Sequence, residues 1–459
     1  MTPAARLQAV IDVLEAVAAT DRPADGVIGA WFKERRFVGS KDRRDIAERV
    51  YGILRRRARL DWWLARIGIV KPTARRWLLA DLAIGERAMP EDLQPLFGRE
   101  TYGPPTLTPD ERGLVARLSG QPLSHGDMPD WVRGEYPGWI EPALRAAFGE
   151  DFAAEVAAMR EEAPLDLRVN TLKATRDEAI AALADEGVTA QPTVLSPIGL
   201  RLDGRVALSA LKAFRDGLVE VQDEGSQLVA LLTDARPGQA VVDYCAGAGG
   251  KTLALAAAMR NKGRLIACDV YENRMARAQE RMRRAGVHNV TRRLLGAEGD
   301  KWMKRNAGSF DRVLVDAPCS GTGTWRRNPD ARWRLLPEDL DRLAALQADI
   351  LARAAKLVRP GGRLIYATCS VLAVENEGQV RSFLAAAPNF GPQSLSAVWT
   401  SVIGGACPSD GPWLRLSPAR HGTDGFFVAV MERALDSRSA PADQPDHQGD
   451  DEKNQKHEE

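Results

Sequence analysis

Residues 240–252 read AVVDYCAGAGGKT, a short apolar run that ends in a loop of small residues. The run predicts a buried strand, and a helical stretch at 250–260 follows it at once. The same alternation continues through the apolar runs RLIACD, NVTRRLL, FDRVLVDAP and GGRLIYATCS, with helical stretches at 272–285, 338–358 and 374–386. Buried strands that alternate with helices predict an α/β fold with a parallel, doubly wound sheet.

The loop ends in Gly250-Lys251-Thr252, as the phosphate-binding loop of a nucleotide triphosphatase does. Such a loop needs a glycine five residues before its Gly-Lys pair, but this chain has Cys245 there. RVLVDAP at 312–318 could supply the strand and aspartate that hold Mg²⁺ in such enzymes. The missing glycine weakens the triphosphatase interpretation, and the choice of ligand depends on motifs elsewhere in the chain.

A ligand that contains adenosine fits the loop better. Three glycines within Cys245–Gly250 let the backbone approach a ligand closely. Asp269 ends the second strand, 19 residues after Gly250, where a carboxylate can accept both ribose hydroxyls. A triphosphatase has no need of this carboxylate, whereas a dinucleotide or S-adenosyl-L-methionine (SAM) site does. A tight structural turn remains the alternative for the loop alone.

Two later strand ends carry cysteines. DAPCSGTG (316–323) and ATCS (367–370) place Cys319 and Cys369 on the rim that holds ligands in such sheets. A buried cysteine is usually a small hydrophobe, a role that a strand-end loop of Ser and Gly suits poorly. A thiolate that adds to carbon 6 of a pyrimidine enables carbon 5 to take a methyl group from SAM. A base then removes the carbon-5 proton, and Asp316 can hydrogen-bond ring N3.

The composition predicts an ordinary soluble chain of two or three domains, with 459 residues, 44% hydrophobic and 27% charged. No apolar run approaches the ~20 residues that span a bilayer, and the N-terminus lacks the pattern of a signal peptide. The five cysteines are widely spread and form no C-x-x-C pair. This argues against disulfides and a metal site, and for a reducing cytoplasm.

The net charge of +1 hides a strong asymmetry. Residues 31–80 hold 15 Lys and Arg against 5 Asp and Glu, whereas residues 441–459 hold 7 Asp and Glu against 2 Lys. A basic block suits a polyanion such as RNA, although a solvated helical face explains the charge equally well. Apolar residues at helical spacing predict an all-helical first hundred residues. LDLRVNTLK (165–173) begins a mixed segment that predicts a small α+β module.

These motifs resemble those of the RsmB/NOP-type RNA (cytosine-5) methyltransferases over roughly residues 130–433. The matching segments are Cys245–Thr252, DAPCSGTG, ATCS with ENE (375–377), RVNTLK (168–173), VQDEGSQL (221–228) and HGTDGFF (421–427). More weakly, KDRRDIAERVYGILRRRARLD is similar to the NusB-like RNA-binding helical domain of many bacterial members.

The resemblance implies four parts. They are an all-α NusB-like domain at 1–125, linker helices and a small α+β RNA-binding module at 126–235, a Rossmann-like doubly wound SAM-dependent methyltransferase domain at 236–433, and an acidic tail at 434–459. The composition of the tail, polar and free of aromatic residues, predicts disorder.

The resemblance also assigns roles to the cysteines, which the residues alone could not order. In the family the cysteine of T-C-S is the nucleophile, here Cys369, and that of D-A-P-C helps release the product, here Cys319. Asp316 is implied at the substrate and at the methionine end of SAM. The implied SAM contacts, besides Asp316, are Cys245, Ala246, Gly247, Ala248, Gly249, Gly250, Lys251, Asp269 and Arg274.

Two positions depart from the family pattern. The loop reads CAGAGGKT where the family usually has CAAPGGKT, a change that loosens the loop but keeps its residues small. The aspartate usual after the third strand, near the adenine, is shifted in LLGAEGDKW. Either Glu298 or Asp300 is a candidate for that contact.

RNA contacts are predicted beside the cleft, because the target base must be unpaired or flipped out of its stack. TWRRNPDARWR (324–334) follows DAPCSGTG, and its arginines and tryptophans could hold phosphates and stack on bases. For each tryptophan, burial in the protein core is an alternative of equal weight to stacking on a base. The candidate substrate contacts are Arg168, Asn170, Arg326, Arg327 and Asp424.

The sequence thus predicts a cytoplasmic, monomeric SAM-dependent RNA cytosine-5 methyltransferase that acts through a covalent cysteine–carbon 6 adduct. Its predicted substrate is 16S ribosomal RNA, naked or in an early small-subunit particle. The alternatives are a tRNA methyltransferase, a non-catalytic RNA-binding ribosome assembly factor, a nucleotide triphosphatase, and a small-molecule or DNA methyltransferase. Intact Cys319, Cys369 and Lys251 count against the non-catalytic factor.

Overall fold

The computed structural model describes residues 1–98, 101–204, 206–296 and 299–435. Local sequence explains where several helices begin. Thr108 and Thr175 each cap a helix, and Glu111 and Glu178 reach back to the backbone N–H groups of the two threonines. These reciprocal hydrogen bonds satisfy donors that the first turn of a helix leaves free.

The first unit is helical, as predicted. Its helices are α1 Pro3–Ala18, α2 Ala24–Glu34, α3 Ser40–Arg55, α4 Arg57–Arg66, α5 Ala74–Gly85, α6 Pro90–Leu93, α7 Pro109–Leu118 and α8 Asp130–Gly134. Their apolar faces form one core that extends to Val132, beyond the predicted boundary at residue 125.

The second unit is the small α+β module. Its elements are α9 Glu141–Phe148, α10 Phe152–Arg160, β1 Leu165–Val169, α11 Arg176–Ala184, β2 Ala190–Pro192, β3 Gly199–Leu202, α12 Lys212–Arg215 and β4 Val219–Val221. The strands form an antiparallel sheet in the order β2-β3-β1-β4. Leucine and valine side chains from this sheet pack against α11 in a separate core.

The third unit is built on a larger sheet. Its elements are α13 Glu224–Leu232, β5 Ala240–Asp243, α14 Gly250–Ala258, β6 Arg264–Asp269, α15 Glu272–Ala285, β7 Val290–Leu294, α16 Gly299–Arg305, β8 Phe310–Asp316, α17 Ala331–Arg334, α18 Pro337–Ala355, β9 Val358–Thr368, α19 Glu377–Ala386, β10 Phe390–Pro392, α20 Leu395–Val402, β11 Leu414–Leu416, α21 Pro418–His421 and β12 Phe426–Arg433.

The large sheet confirms the predicted doubly wound fold. Its order is β10-β12-β9-β8-β5-β6-β7, with β11 paired to β12, and the strands from β5 to β9 run parallel. Val241 packs with α13, α14 and α20 on one face, whereas the next residue, Val242, packs with α16, α18 and α19 on the other. Such a strand, buried on both faces, explains the continuous apolar runs of the sequence.

The topology sets the place of the site. The chain adds β6 and β7 on one side of β5 and then returns to add β8 on its other side. The carboxyl ends of β5 and β8 therefore flank a switch point, where ligands bind in such sheets. None of the described helices is long and apolar enough to cross a membrane.

Candidate active site

A cavity of about 900 Å³ opens at the carboxyl ends of β5, β6, β8 and β9. The loop after β5 forms its floor. Gly247 and Gly249 have φ angles of +56° and +82°, which favour glycine. A Cβ atom on Gly249 would also lie 3.0 Å from the Cβ of Ala278 in α15. The glycines therefore set both the turn and the close packing of the loop on α15.

Asp269 lies at the cavity with its carboxylate fixed. Its Oδ2 accepts a hydrogen bond from Gly247 N at 2.8 Å, and its Oδ1 accepts one from Tyr271 N at 2.8 Å. Arg274 lies further out on the cavity wall, with its guanidinium 4.6 Å from the centre of the Tyr271 ring. The loop, Asp269 and Arg274 thus meet at one cavity, and Tyr271 is a lining residue that the sequence did not point to.

Lys251 and Asp316 form an ion pair at the cavity, with Nζ 2.6 Å from Oδ2. Burial works to lower the pKa of Lys251, but the charge and hydrogen bond of Asp316 outweigh it, so the pKa is raised. Lys251 therefore keeps its positive charge. Lysine in this loop is balanced by a carboxylate of the protein, a poor arrangement for holding the phosphates of a nucleotide triphosphate.

Cys319 and Cys369 meet at the same cavity, with their sulfur atoms 3.4 Å apart. They come together because β8 and β9 are adjacent parallel strands whose ends carry the two motifs. The hydrogen bond with Cys369, followed by burial, raises the pKa of Cys319 well above its ordinary value. Cys319 therefore keeps its proton, with the Cys369 sulfur within hydrogen-bond distance.

Cys245 is the third thiol at the cavity, but its surroundings make it inert. Burial, followed by the nearby charge of Asp243, raises the pKa of Cys245 well above its ordinary value. A neutral thiol is a weak nucleophile. The chemistry of the site therefore belongs to the pair at the other strand ends.

A buried glutamate that the sequence analysis left without a role joins the two cysteine loops. Glu375 accepts hydrogen bonds from both the backbone N–H (2.8 Å) and the hydroxyl of Ser320, next to Cys319. Gln347 of α18 donates to the same carboxylate at 3.0 Å and to the carbonyl of Pro318 at 2.9 Å. The sequence feature that could have identified this residue is the ENE motif (375–377), because Glu375 is its first residue.

The loop before β12 closes the other side of the site. Gly425 N donates to the carbonyl of Gly323 at 2.8 Å, and Gly323 N donates to the carbonyl of Cys369 at 2.9 Å. A Cβ atom on Gly323 would lie 2.2 Å from the carbonyl oxygen of Gly425, so the two loops touch through their backbones. HGTDGFF and DAPCSGTG therefore support the Cys369 loop directly.

Asp424 anchors this loop to both arginines that follow the Cys319 motif. Its Oδ1 lies 2.6 Å from Arg326 Nε, and its Oδ2 is paired with Arg327. Arg327 also binds Asp223 at 2.8 Å. Burial opposes the charge of Arg327, but Asp424 and Asp223 outweigh it and raise its pKa. Asp223, from VQDEGSQL, also lines the cavity, and no role for it was predicted.

The five predicted substrate contacts fall into two groups. Arg327 and Asp424 line the cavity. Arg168, Asn170 and Arg326 are buried and lie outside its lining. Arg168 donates to the carbonyl of Gly250 at 2.7 Å, and Asn170 donates to the carbonyls of Gly217 and Ala285 at 2.9 and 2.8 Å. These contacts tie the small module to the catalytic unit.

Residues 324–334 connect the site to the helical unit. Asp330 accepts a hydrogen bond at 3.0 Å from Ala24 N, at the start of α2. Trp333 packs against the helical core, and Trp325 is buried. Arg332 is also buried and donates to the carbonyl of Glu135 at 2.7 Å. Trp325 therefore has a core position, whereas Trp333 is partly buried and its stacking on a base stays a prediction.

The far end of the cavity is lined by Leu295, Gly296, Leu346 and Ile350. Glu298, one candidate for the adenine contact, lies outside the described residues. Asp300 lies in α16, but the structure does not describe its side chain. The choice between them stays open.

Comparisons with known proteins place this geometry in a family. A family model described as 16S rRNA methyltransferase RsmB/F matches residues 230–432, and one described as an RsmF/B-like ferredoxin-like domain matches residues 136–209. The ribosomal RNA small subunit methyltransferase B of Salmonella paratyphi B is 30% identical over 408 residues, which cover 86% of this chain and 91% of that protein.

Two further matches cover similar lengths. The probable ribosomal RNA small subunit methyltransferase B of Synechocystis sp. is 30% identical over 428 residues, 86% of this chain and 92% of that protein. The crystal structure of PH0851 superposes with a TM-score of 0.77 at 27% identity, covering 94% of this chain and 99% of that one.

Proposed function

The chain belongs to the RsmB/F family of 16S rRNA methyltransferases, and on that premise we propose that it methylates carbon 5 of a cytosine in RNA through a covalent adduct of Cys369. The observation that carries the proposal is the pair of thiols, 3.4 Å apart, at the cavity that Lys251, Asp269 and Asp316 also line. The proposed substrate is 16S ribosomal RNA, and the proposed form is a cytoplasmic monomer.

The cofactor is S-adenosyl-L-methionine, which supplies an electrophilic methyl group when bound. The residues of the cavity fit it. Asp269 presents a fixed carboxylate for ribose hydroxyls, and Gly247 and Gly249 keep the floor free of side chains. Lys251 offers a positive charge to a carboxylate, and Asp316 offers a negative charge to an ammonium group. We assign these residues, the rest of the Cys245–Gly250 loop and Arg274 to the cofactor.

The thiol pair performs the first half of the reaction. The Cys369 sulfur, as thiolate, forms a bond to carbon 6 of the cytosine, and electron density moves to carbon 5, where the methyl group is taken. Lys251 Nζ is a charged donor for the density that develops on the ring. We assign Asp316 to the cytosine ring as well, where a carboxylate can accept a hydrogen bond from the exocyclic amino group and a carboxylic acid can donate one to N3.

Cys319 performs the second half. Its pKa is raised first by the hydrogen bond to Cys369 and then by burial. A bond between the Cys369 sulfur and carbon 6 removes the first of these causes, so Cys319 can release its proton to solvent. The Cys319 thiolate then takes the proton from carbon 5, the sulfur–carbon 6 bond breaks, and Cys369 leaves as a thiolate.

The buried polar residues position these groups. Glu375 and Gln347 hold the Cys319 loop, and Arg326 with Asp424 holds the loop that supports Cys369. We assign Arg327 and Asp424 to the wall that faces the RNA. Arg168 and Asn170 hold the small module against the catalytic unit and act on RNA only through that placement.

The test is methylation of unmodified 16S rRNA with labelled SAM, followed by digestion to nucleosides. The wild type is compared with Cys369→Ala, Cys319→Ala and the matched control Cys407→Ala, another free cysteine, which does not line the cavity. We expect 5-methylcytidine with the wild type and the control, none with Cys369→Ala, and a covalent protein–RNA adduct with Cys319→Ala.

Each part of the proposal can fail separately. Full activity of Cys369→Ala would refute the covalent mechanism. Formation of 5-methylcytidine in tRNA but not in rRNA would identify tRNA, instead of 16S rRNA, as the substrate. No methylation of either RNA, together with no binding of SAM, would favour the non-catalytic assembly factor.

A further inference from the structure

Half of the twelve arginines in the basic block of residues 31–80 are used inside the protein. They pair with buried carboxylates or donate to carbonyls, which removes them from the set of cations available to a ligand. The committed residues are Arg43, Arg49, Arg55, Arg56, Arg59 and Arg75. The block is therefore much less basic on its surface than its composition indicates.

Residues 33–44, which comprise the turn between α2 and α3 with the adjoining helix ends and are called the turn 33–44 below, hold cations that are not used in this way. Lys33, Arg36, Lys41 and Arg44 are exposed, and none of them has an ion pair within the described part of the chain. Three acidic residues near them already have ion-pair partners: Glu34 pairs with Arg35, Asp42 pairs with the Met1 ammonium group and Arg6, and Asp45 pairs with Arg6. The turn therefore carries four free positive charges.

The same turn holds an aromatic ring out in solvent. Phe37 is 79% exposed, whereas the next residue, Val38, is 2% exposed and packs in the helical core. Val38 N donates to the carbonyl of Arg35 at 3.0 Å, and Arg43 Nε donates to the carbonyl of Val38 at 2.8 Å. Because Val38 is fixed at both its N–H and its carbonyl, Phe37 cannot fold back into the core.

The turn lies at the end of α2 that is opposite the contact with Asp330. Helix α2 begins at Ala24, whose N–H binds Asp330, and it ends at Glu34, where the turn starts. Its 11 residues span about 16 Å at 1.5 Å per residue. The turn is therefore about 16 Å from the contact with Asp330, whose segment also carries Arg327 of the cavity wall.

We propose that the turn 33–44 is a second RNA contact, in which Phe37 stacks on an unpaired base of the same RNA outside the cavity and the four cations hold phosphates. The proposal rests on the proposed function for the nature of the substrate. An aromatic ring surrounded by cations is the arrangement with which proteins bind single-stranded nucleic acids without sequence preference. A protein partner would need a continuous apolar patch, and Phe37 is the only large apolar side chain exposed in this turn.

The affinity of the full-length protein is measured by fluorescence anisotropy with an unstructured RNA of about 12 nucleotides and with a blunt duplex. Loss of one base–aromatic stack predicts a roughly 5- to 100-fold weaker Kd of Phe37→Ala for the single strand. Phe37→Trp should retain the affinity, and Tyr102→Ala, which removes a ring that is 80% exposed elsewhere, should bind as the wild type does. With 16S rRNA, Phe37→Ala should raise KM and leave kcat unchanged.

The cations are tested through salt. Arg36→Ala and Lys41→Ala should each reduce the slope of log affinity against log salt by about 0.7 on the single strand. Arg66→Ala is the matched control, because Arg66 pairs with Asp127 at 2.9 Å. Phe37→Ala with wild-type single-strand affinity would overturn the proposal, while methylation of RNA would leave the proposed function intact. Altered self-association of Phe37→Ala without a change in RNA affinity would overturn it in favour of a protein partner.

Discussion

The Asp243 carboxylate is buried beneath the glycine loop, and only one of its two oxygens has a hydrogen-bond partner. Oδ2 accepts from the Thr252 hydroxyl at 2.7 Å, and Oδ1 has none. Burial, opposed in part by the Thr252 hydrogen bond, raises the pKa of Asp243 to about 7. In the unfolded chain it titrates near 3.8, so the folded protein binds the extra proton between these values and loses stability as pH rises.

Asp243→Asn should remove this loss, because the amide cannot ionise and can still accept from Thr252. We expect the free energy of unfolding of the wild type to fall relative to that of Asp243→Asn as pH rises from 5 to 7.5. Over this pH range the raised pKa sets an upper limit of about 2.5 kcal/mol. Denaturant titrations at several pH values measure the difference, and parallel pH profiles would contradict it.

Glu375 should matter for catalysis although it does not touch the cavity. Glu375→Ala removes the acceptor for Ser320 and Gln347, so the Cys319 loop loses its fixed position. Misplacement of a catalytic group by about 1 Å lowers rates by roughly 100-fold, so we expect kcat to fall by roughly 10- to 100-fold with an unchanged Kd for SAM. Glu377→Ala, in the same ENE segment but paired with Arg415, is the control. Equal losses in both variants would count against a specific role.

The residues of the cavity were easier to predict than the residues behind it. Glycine turns and strand-end cysteines are local patterns, and parallel strands bring their ends together by topology alone. Arg168 is different, because its burial depends on Gln222 and Gly250, which are 54 and 82 positions away in sequence. A sequence pattern shows that such an arginine is polar, but it does not show what packs around it.

Among the elements, the predicted helices and strands of the third unit were found with small shifts at their ends. The helix expected at 374–386 begins at Glu377, since Glu375 and Asn376 are held by Tyr366 and Thr368 of β9. Strand β10 was not predicted. Its three residues, Phe390–Pro392, become a strand only through pairing with β12, so tertiary pairing decided it rather than local propensity.

Helix α2 depends on a residue from another unit for its start. Its N-cap position is Pro23, which makes no side-chain cap, and Asp330 provides the carboxylate instead. Asp330→Ala should lower the free energy of unfolding by about 1–3 kcal/mol, because it removes the cap and leaves Arg334 without its partner. Asp25→Ala removes an exposed carboxylate in the first turn of the same helix and should change stability by less than about 0.5 kcal/mol. Chemical denaturation that ranks the two variants equally would contradict the role of Asp330.

In the whole molecule, residues 324–334 join the catalytic unit to the helical unit through buried contacts. The Arg55 side chain donates to the carbonyl of Arg326, and the Trp333 indole donates to the carbonyl of Leu54 at 3.4 Å. Arg326 in turn binds Asp424, whose neighbour Gly425 supports the Cys369 loop through Gly323. The helical unit and the catalytic site are thus parts of one packed structure rather than two domains on a linker.

This continuity predicts that the helical and catalytic units unfold together. S-adenosylhomocysteine at 100 times its Kd stabilises the state that binds it by about 2.7 kcal/mol, and coupled units share that gain. Hydrogen exchange read by mass spectrometry should therefore show added protection in peptides of α2, α3 and α4 when the ligand is present. Calorimetry should show a single unfolding transition, whose midpoint temperature the ligand raises.

Independent units would give two unfolding transitions, and the ligand would raise the midpoint of the catalytic unit alone. Hydrogen exchange in α2–α4 would then stay at its ligand-free rate. Asp330→Ala is the matched variant for this experiment, because it weakens the joint outside the cavity and should reduce the added protection in α2 while ligand affinity is retained.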